Sequence, residues 1–210
     1  MSLLNRAHRP LARRSRALRD DRMFVIATED TYAPLQYFQA FKLSRIKIHV
    51  VPTVDGCSSA SAVLSRLKAE QEKAKRCGDI QEGDQFWMVC DTDHYSEGSH
   101  VRAFSAALKE ARDAGFQVAV TNPCFELWLL LHVADAPPPP ADAAAILELL
   151  NAALGQYNKT NIPATRFLDG LGDALKRARM LDIGATGWPQ SIGTQMHLLI
   201  EELLPRRSPS

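Results

Sequence analysis

The chain has 210 residues, 46% of them hydrophobic, which is enough apolar material for one sizeable core and favours one domain with an appendage over two equal ones. No apolar run is long enough to cross a bilayer and the start lacks the charged-then-apolar order of a secretory signal, so a cytoplasmic protein with no membrane attachment is expected. The net charge of +1 hides an asymmetry: seven arginines and only Asp20 and Asp21 fall in the first 22 residues, leaving 18 basic against 22 acidic side chains in the remainder.

Residues 1–22 therefore read as a basic arm. Arg9, Arg13, Arg14, Arg16, Arg19 and Arg22 are candidates for contacting a nucleic-acid backbone, because arginine pairs with phosphate in a fixed forked geometry. A solvated helix or a frayed terminus has the same composition. Met23 to Ala27 is a continuous apolar run, the pattern of a strand buried on both faces, and it ends at Thr28-Glu29-Asp30. Thr31 and Pro34 then suit the opening of a helix with Tyr37, Phe38 and Phe41 on its apolar stripe. Ile46 to Val51 predicts a second strand, and Ser58-Ser59 caps a helix that places Ala60, Val63, Leu64 and Leu67 on one face.

After the Gly83-Asp84 turn, Phe86 to Cys90 predicts a third buried strand running into Asp91-Thr92-Asp93. Val101, Phe104, Leu108 and Ala111 mark a helix ending at Gly115, and Phe116 to Val120 supplies a fourth strand. Strands alternating with helices imply right-handed crossovers and hence a parallel sheet flanked by helices. Asn122 and Pro123 are placed as cap and first residue of an apolar helix through His132, and the prolines at 137–140 mark a boundary. Beyond it, residues 141–154, 164–180 and 191–204 read as helices with no strand among them. The expected organisation is an arm over 1–22, an α/β domain over 23–136, and a helical C-terminal region over 141–205 packed on it. Cys57, Cys77, Cys90 and Cys124 form no CxxC pair and read as reduced thiols.

Ligands of a parallel sheet bind beyond the carboxyl ends of its strands, where both acidic clusters fall. Asp91 and Asp93, two apart, project alike if the strand persists, and Glu29 approaches from the first strand. Carboxylates crowded together repel unless a cation shares them, and oxygen-only ligands favour Mg2+ or Mn2+. An aspartate after a strand also suits a helix cap. Glu126, the one charge in its apolar string, suits the N-terminal end of a helix or a place beside the acidic cluster. His94 and His100 lie close to the acidic loop in sequence, and His132 reads as a packed core residue.

These strings resemble the RloB family, bacterial proteins with a Toprim-like catalytic domain found with restriction or abortive-infection genes. The resemblance runs from the arginine-rich start through Phe24 to Glu29, Pro34-Leu35-Gln36-Tyr37-Phe38, Val89 to Asp93 and, most specifically, Thr121 to His132. It implies a Toprim-like (Rossmannoid) fold, with Glu29, Asp91 and Asp93 as catalytic and metal-holding residues for phosphoryl transfer with Mg2+ or Mn2+. Tyr157-Asn158-Lys159 is similar to a Tyr-x-Lys string of the family, which makes Lys159 a candidate for steadying phosphate. Glu126 and His94 are candidates for a supporting position or a ligand. The implied activity is a metal-dependent phosphodiesterase or nuclease acting on DNA or RNA in anti-phage defence, with an ABC/SMC-like or OLD-like ATPase as partner and a homo-oligomer as a further option. One departure stands out: Thr28-Glu29-Asp30-Thr31-Tyr32-Ala33 replaces the family's Glu-Gly-x-x-Thr-Glu pattern. A shorter loop leaves Glu29 in the functional place. A fixed register would put Thr28 there and favour the alternative, a non-catalytic subunit that binds nucleic acid or a partner with a degenerate pocket.

Overall fold

The apolar runs become the middle of a sheet. A computed structural model describes residues 19–53, 58–93, 95, 98–182 and 187–204; His94 and the arginines at 9, 13, 14 and 16 lie outside them. Strands β1 (Arg22–Thr28), β2 (Ile46–Val51), β3 (Gln85–Asp91) and β4 (Gln117–Asn122) pair in parallel in the order β2-β1-β3-β4. Helices α1 (Ala33–Gln39), α2 (Ala60–Cys77) and α3 (Gly98–Asp113) are the crossovers. Ser59 caps α2 by accepting from the Ala62 N–H, and Ala60, Val63, Leu64 and Leu67 are all buried, as their spacing predicts.

Two apolar layers sandwich the sheet. On one face Val25, Ala27, Phe86, Met88 and Cys90 pack with Val63, Leu67, Phe104 and Leu108 of α2 and α3. On the other Phe24, Ile26, Trp87 and Val89 pack with Tyr37 and Phe38 of α1 and with α4 (Phe125–Leu130). The alternation of partners along each strand is the two-residue period of the pleat. That second layer does not stop at the prolines. Ile146 and Leu150 of α5 (Ala143–Leu154), Phe167 of α6 (Ala164–Asp169), Ala174 and Ala178 of α7 (Leu171–Leu181), and Leu199, Ile200 and Leu203 belong to the same cluster.

The C-terminal third differs from its all-helical expectation. Gly193–Thr194 forms β5, which pairs antiparallel with the end of β4 and makes a fifth strand, so the helix expected over 191–204 is confined to α8 (Met196–Leu203). Two residues give no alternation to read; the strand exists because Thr121 and Thr194 hydroxyls meet at 2.8 Å and the Gln195 N–H donates to the Val120 carbonyl. The helix expected over 164–180 is broken at Gly170, where a Cβ would lie 2.1 Å from the His132 carbonyl oxygen. Asn122 and Pro123 do not open α4. Asn122 still belongs to β4, its peptide bond to Pro123 is cis, and Cys124 stands at the N-cap. Among the described residues no helix is long and apolar enough to cross a membrane.

Candidate functional site

Register decides what meets at the carboxyl ends of the strands. Thr28 pairs with Val89, so Glu29 comes level with Cys90, while Asp91 pairs with Thr121 of β4. The turn after β3 is stitched to the end of β4: the Thr92 N–H reaches the Thr121 and Pro123 carbonyls, and the Asp93 N–H donates to Pro123 at 3.1 Å. As a result Glu29, Asp91 and Asp93 line one polar pocket of about 220 Å3, together with Asp30, Thr31, Ser58, Cys124, Glu126 and Lys159. Thr28 points elsewhere in function: it is buried, and its hydroxyl donates to the Asp30 carbonyl at 2.6 Å.

The acids arrive from different sides. Pleat alternation sends Glu29 toward the α2 and α3 layer, where the Tyr95 hydroxyl donates to it at 3.5 Å and the Cys90 thiol bonds it. The same Tyr95 oxygen accepts from the Ala60 N–H at 2.7 Å and its ring stacks on Phe104, so it links the glutamate to the start of α2. Asp91 leans to the α4 side, where the Phe125 N–H donates to it. Asp93 is exposed at the rim. Among the described residues no three His, Cys, Asp or Glu side chains already form a metal-holding group. The donor chemistry nonetheless fits a hard divalent ion, which takes one or two carboxylates and keeps several waters.

Electrostatics agree with a pocket short of positive charge. Burial pushes the Glu29 carboxyl up to about 8, and the Asp93 charge adds to the rise against the hydrogen bonds it accepts. Asp91 is held well above its ordinary value, first by burial, then by Glu29, Glu126 and Asp93. Burial likewise raises the Cys124 thiol, with Asp91 and Glu126 contributing, so this cysteine is a neutral wall of the pocket.

One lysine answers these charges. Lys159 Nζ lies 3.1 Å from Asp30 Oδ2 and 3.6 Å from Glu126 Oε1, and Glu126 also accepts from the Tyr157 hydroxyl at 3.1 Å. Burial alone would lower Lys159, but Glu126 and Asp30 outweigh it and hold it above its ordinary value. Glu126 is thus a buried anchor between α4 and the C-terminal region rather than only a partner of the helix end.

The structure brings Glu29, Asp91, Asp93, Glu126 and Lys159 together, and it does not bring Arg19 or Arg22 to them. Arg19 sits at the other end of β1, bound to Asp84 Oδ2 at 2.6 Å, and the Arg22 guanidinium lies over the Phe24 ring. His132 is a core residue as its setting suggests. It shares hydrogen bonds with Tyr37 and the Trp128 carbonyl, and burial lowers it to about 4. Asp30, Ser58, Cys124 and Tyr95 were not singled out by the sequence. Only Asp30, beside the glutamate at the strand end, carried a signal.

An α/β protein of Rossmannoid, Toprim-like architecture, with an acidic pocket at the carboxyl ends of its parallel strands, is what this arrangement defines. The chain matches the family described as RloB-like protein over residues 24–203, and it belongs to that family. No curated protein and no solved structure matches it.

Proposed function

We propose that this RloB-like protein is a Mg2+- or Mn2+-dependent phosphodiesterase that cuts DNA or RNA, and that it serves as an effector in anti-phage defence. The observation that carries this reading is the delivery of Glu29, Asp91 and Asp93 into one pocket from two strand ends. Such a pocket crowds carboxyl groups whose ionisation burial and their mutual repulsion oppose, and a divalent cation shared among them favours the ionised forms. When bound, the ion supplies charge neutralisation at a phosphodiester oxygen and a water of lowered pKa. Asp91 and Asp93 would hold it, with Glu29 opposite. Glu29, whose carboxyl burial raises to about 8, would lose its proton to solvent on cation binding and would then be able to accept a proton from a water at the site. Lys159 stands where a phosphate oxygen would meet a cationic group.

The family resemblance supports a companion ATPase of the SMC or OLD type, and this chain carries no GxxxxGK[ST] string with which to hydrolyse ATP itself. The arginines at 9, 13, 14 and 16 are suited to backbone contacts, and a homo-oligomer would multiply them. A second reading, a binding subunit with a degenerate pocket, draws on the altered first loop and on the lack, among the described residues, of a ready-made group of three ligands. The test is twofold. Mn2+ should raise the melting temperature of the wild type and not of Asp91→Ala. Cleavage of single- or double-stranded DNA or RNA should require the ion and vanish in Glu29→Ala and Asp93→Ala. Cation-independent melting, or cleavage equal in all variants, refutes the nuclease.

A further inference from the structure

The loop between α5 and α6 is held in place far more tightly than a connector requires. The Tyr157 N–H donates to Asn151 Oδ1 of α5 at 2.8 Å, and the Tyr157 hydroxyl donates to the buried carboxylate of Glu126 at 3.1 Å. From α1, the Gln36 amide grips the loop twice, donating to the Lys159 carbonyl at 3.1 Å and accepting from the Ile162 N–H at 3.0 Å. Within the loop, Asn158 Oδ1 accepts from the Thr160 N–H and hydroxyl. Three separate elements therefore fix the backbone on both sides of Lys159.

What they fix is the placement of one ammonium. The Lys159 side chain is 48% exposed, yet its Nζ stands between Asp30 and Glu126 on the wall of the acidic pocket. An ammonium has three donors and no acceptor. Two carboxylates leave a donor for a third partner, and if the pocket holds a cation, an anion brought in with it would find that donor.

We propose that Tyr157 and Glu126 are a positioning pair that holds Lys159 over the acidic pocket as its anion contact, so that the pocket's positive side comes from the C-terminal region. This rests on the reading of the pocket as a divalent-cation site with Lys159 as its phosphate contact, and names the residues that position that lysine. Lys159 would touch the phosphate; Tyr157 and Glu126 act through it.

The experiment uses the full chain, Ca2+ as the cation and inorganic phosphate as the probe, read by thermal unfolding. In the wild type Ca2+ should raise Tm, and phosphate added at saturating Ca2+ should raise it again. Lys159→Ala and Tyr157→Phe should keep the Ca2+ step and weaken phosphate binding roughly tenfold, the order expected for one hydrogen bond to a charged group, and Glu126→Gln should weaken phosphate binding as much, whatever it does to the Ca2+ step. Lys159→Arg should restore the phosphate step, and Tyr157→Phe should raise amide exchange over residues 157–162. A purely structural role would lower the starting Tm of the variants and leave the phosphate response unchanged, which would overturn the proposal. So would a wild type that responds to Ca2+ and not to phosphate. Loss of the Ca2+ step itself sinks the cation-site reading instead, so the two failures are distinct.

Discussion

Replacing Glu29 by glutamine keeps the shape of the side chain and removes its charge, which makes it a direct probe of the pocket. In the folded protein burial holds the Glu29 carboxyl at about 8 against an ordinary 4.5. The folded value is the higher one, so the stability this group contributes is present in full below about pH 4.5. As the pH rises from there, the unfolded chain gives up the proton and the folded one keeps it; stability falls until the folded group also ionises near pH 8. At about 1.4 kcal/mol for each pH unit, the interval caps the loss at about 5 kcal/mol. Glutamine titrates in neither state. Asp91 is also raised, first by burial and then by Glu29 itself, so glutamine relieves part of that rise and the difference between the two proteins reports the coupled pair.

Urea unfolding in EDTA at several pH values provides the assay. Wild type and Glu29→Gln should nearly coincide at about pH 4, and the variant should be the more stable by upward of about 2 kcal/mol at about pH 8. Mn2+ should then close the gap, because it binds the ionised glutamate of the wild type. Parallel pH profiles in EDTA would show that Glu29 is not a buried acid, and the account of the pocket would fall with it.

Two further outcomes concern the frame around the site. Gly170→Ala should destabilise by about 1–3 kcal/mol, the usual penalty of overpacking, since its Cβ meets backbone rather than a side chain that can swing away; equilibrium unfolding of an otherwise unchanged chain checks it. Asp84→Ala should cost about 3 kcal/mol by the same measurement, because the carboxylate is 1% exposed and binds Arg19, the Met23 N–H and the Gln81 N–H. An effect on Mn2+ binding is not expected from either, as Asp84 lies at the opposite end of β1 from the acids.

Much of this was legible in the residues because the physics is local. The runs at 24–27 and 86–90 announce strands buried on both faces, and the helix at 60–77 announces its face and its cap. Glu29, Asp91 and Asp93 could be placed from strand ends alone. What escaped depends on contacts across the chain. β5 exists only through its pairing with β4; the break at Gly170 exists because His132 sits against it; Tyr95 joins the site through the stacking of its ring on α3. Gln36 is the sharpest case, a polar residue off the apolar stripe of α1 whose amide happens to face a loop 123 residues further on.

The apolar layer that runs from Phe24 to Leu203 without a seam also governs how the protein can be taken apart. A fragment ending before the prolines would bare Leu127, Trp128 and Leu131, side chains with no contact with solvent in the whole chain, and would aggregate rather than report on the acids. Laboratory dissection therefore has to proceed by point substitution, and any minimal version of the molecule must retain both sides of the proline stretch.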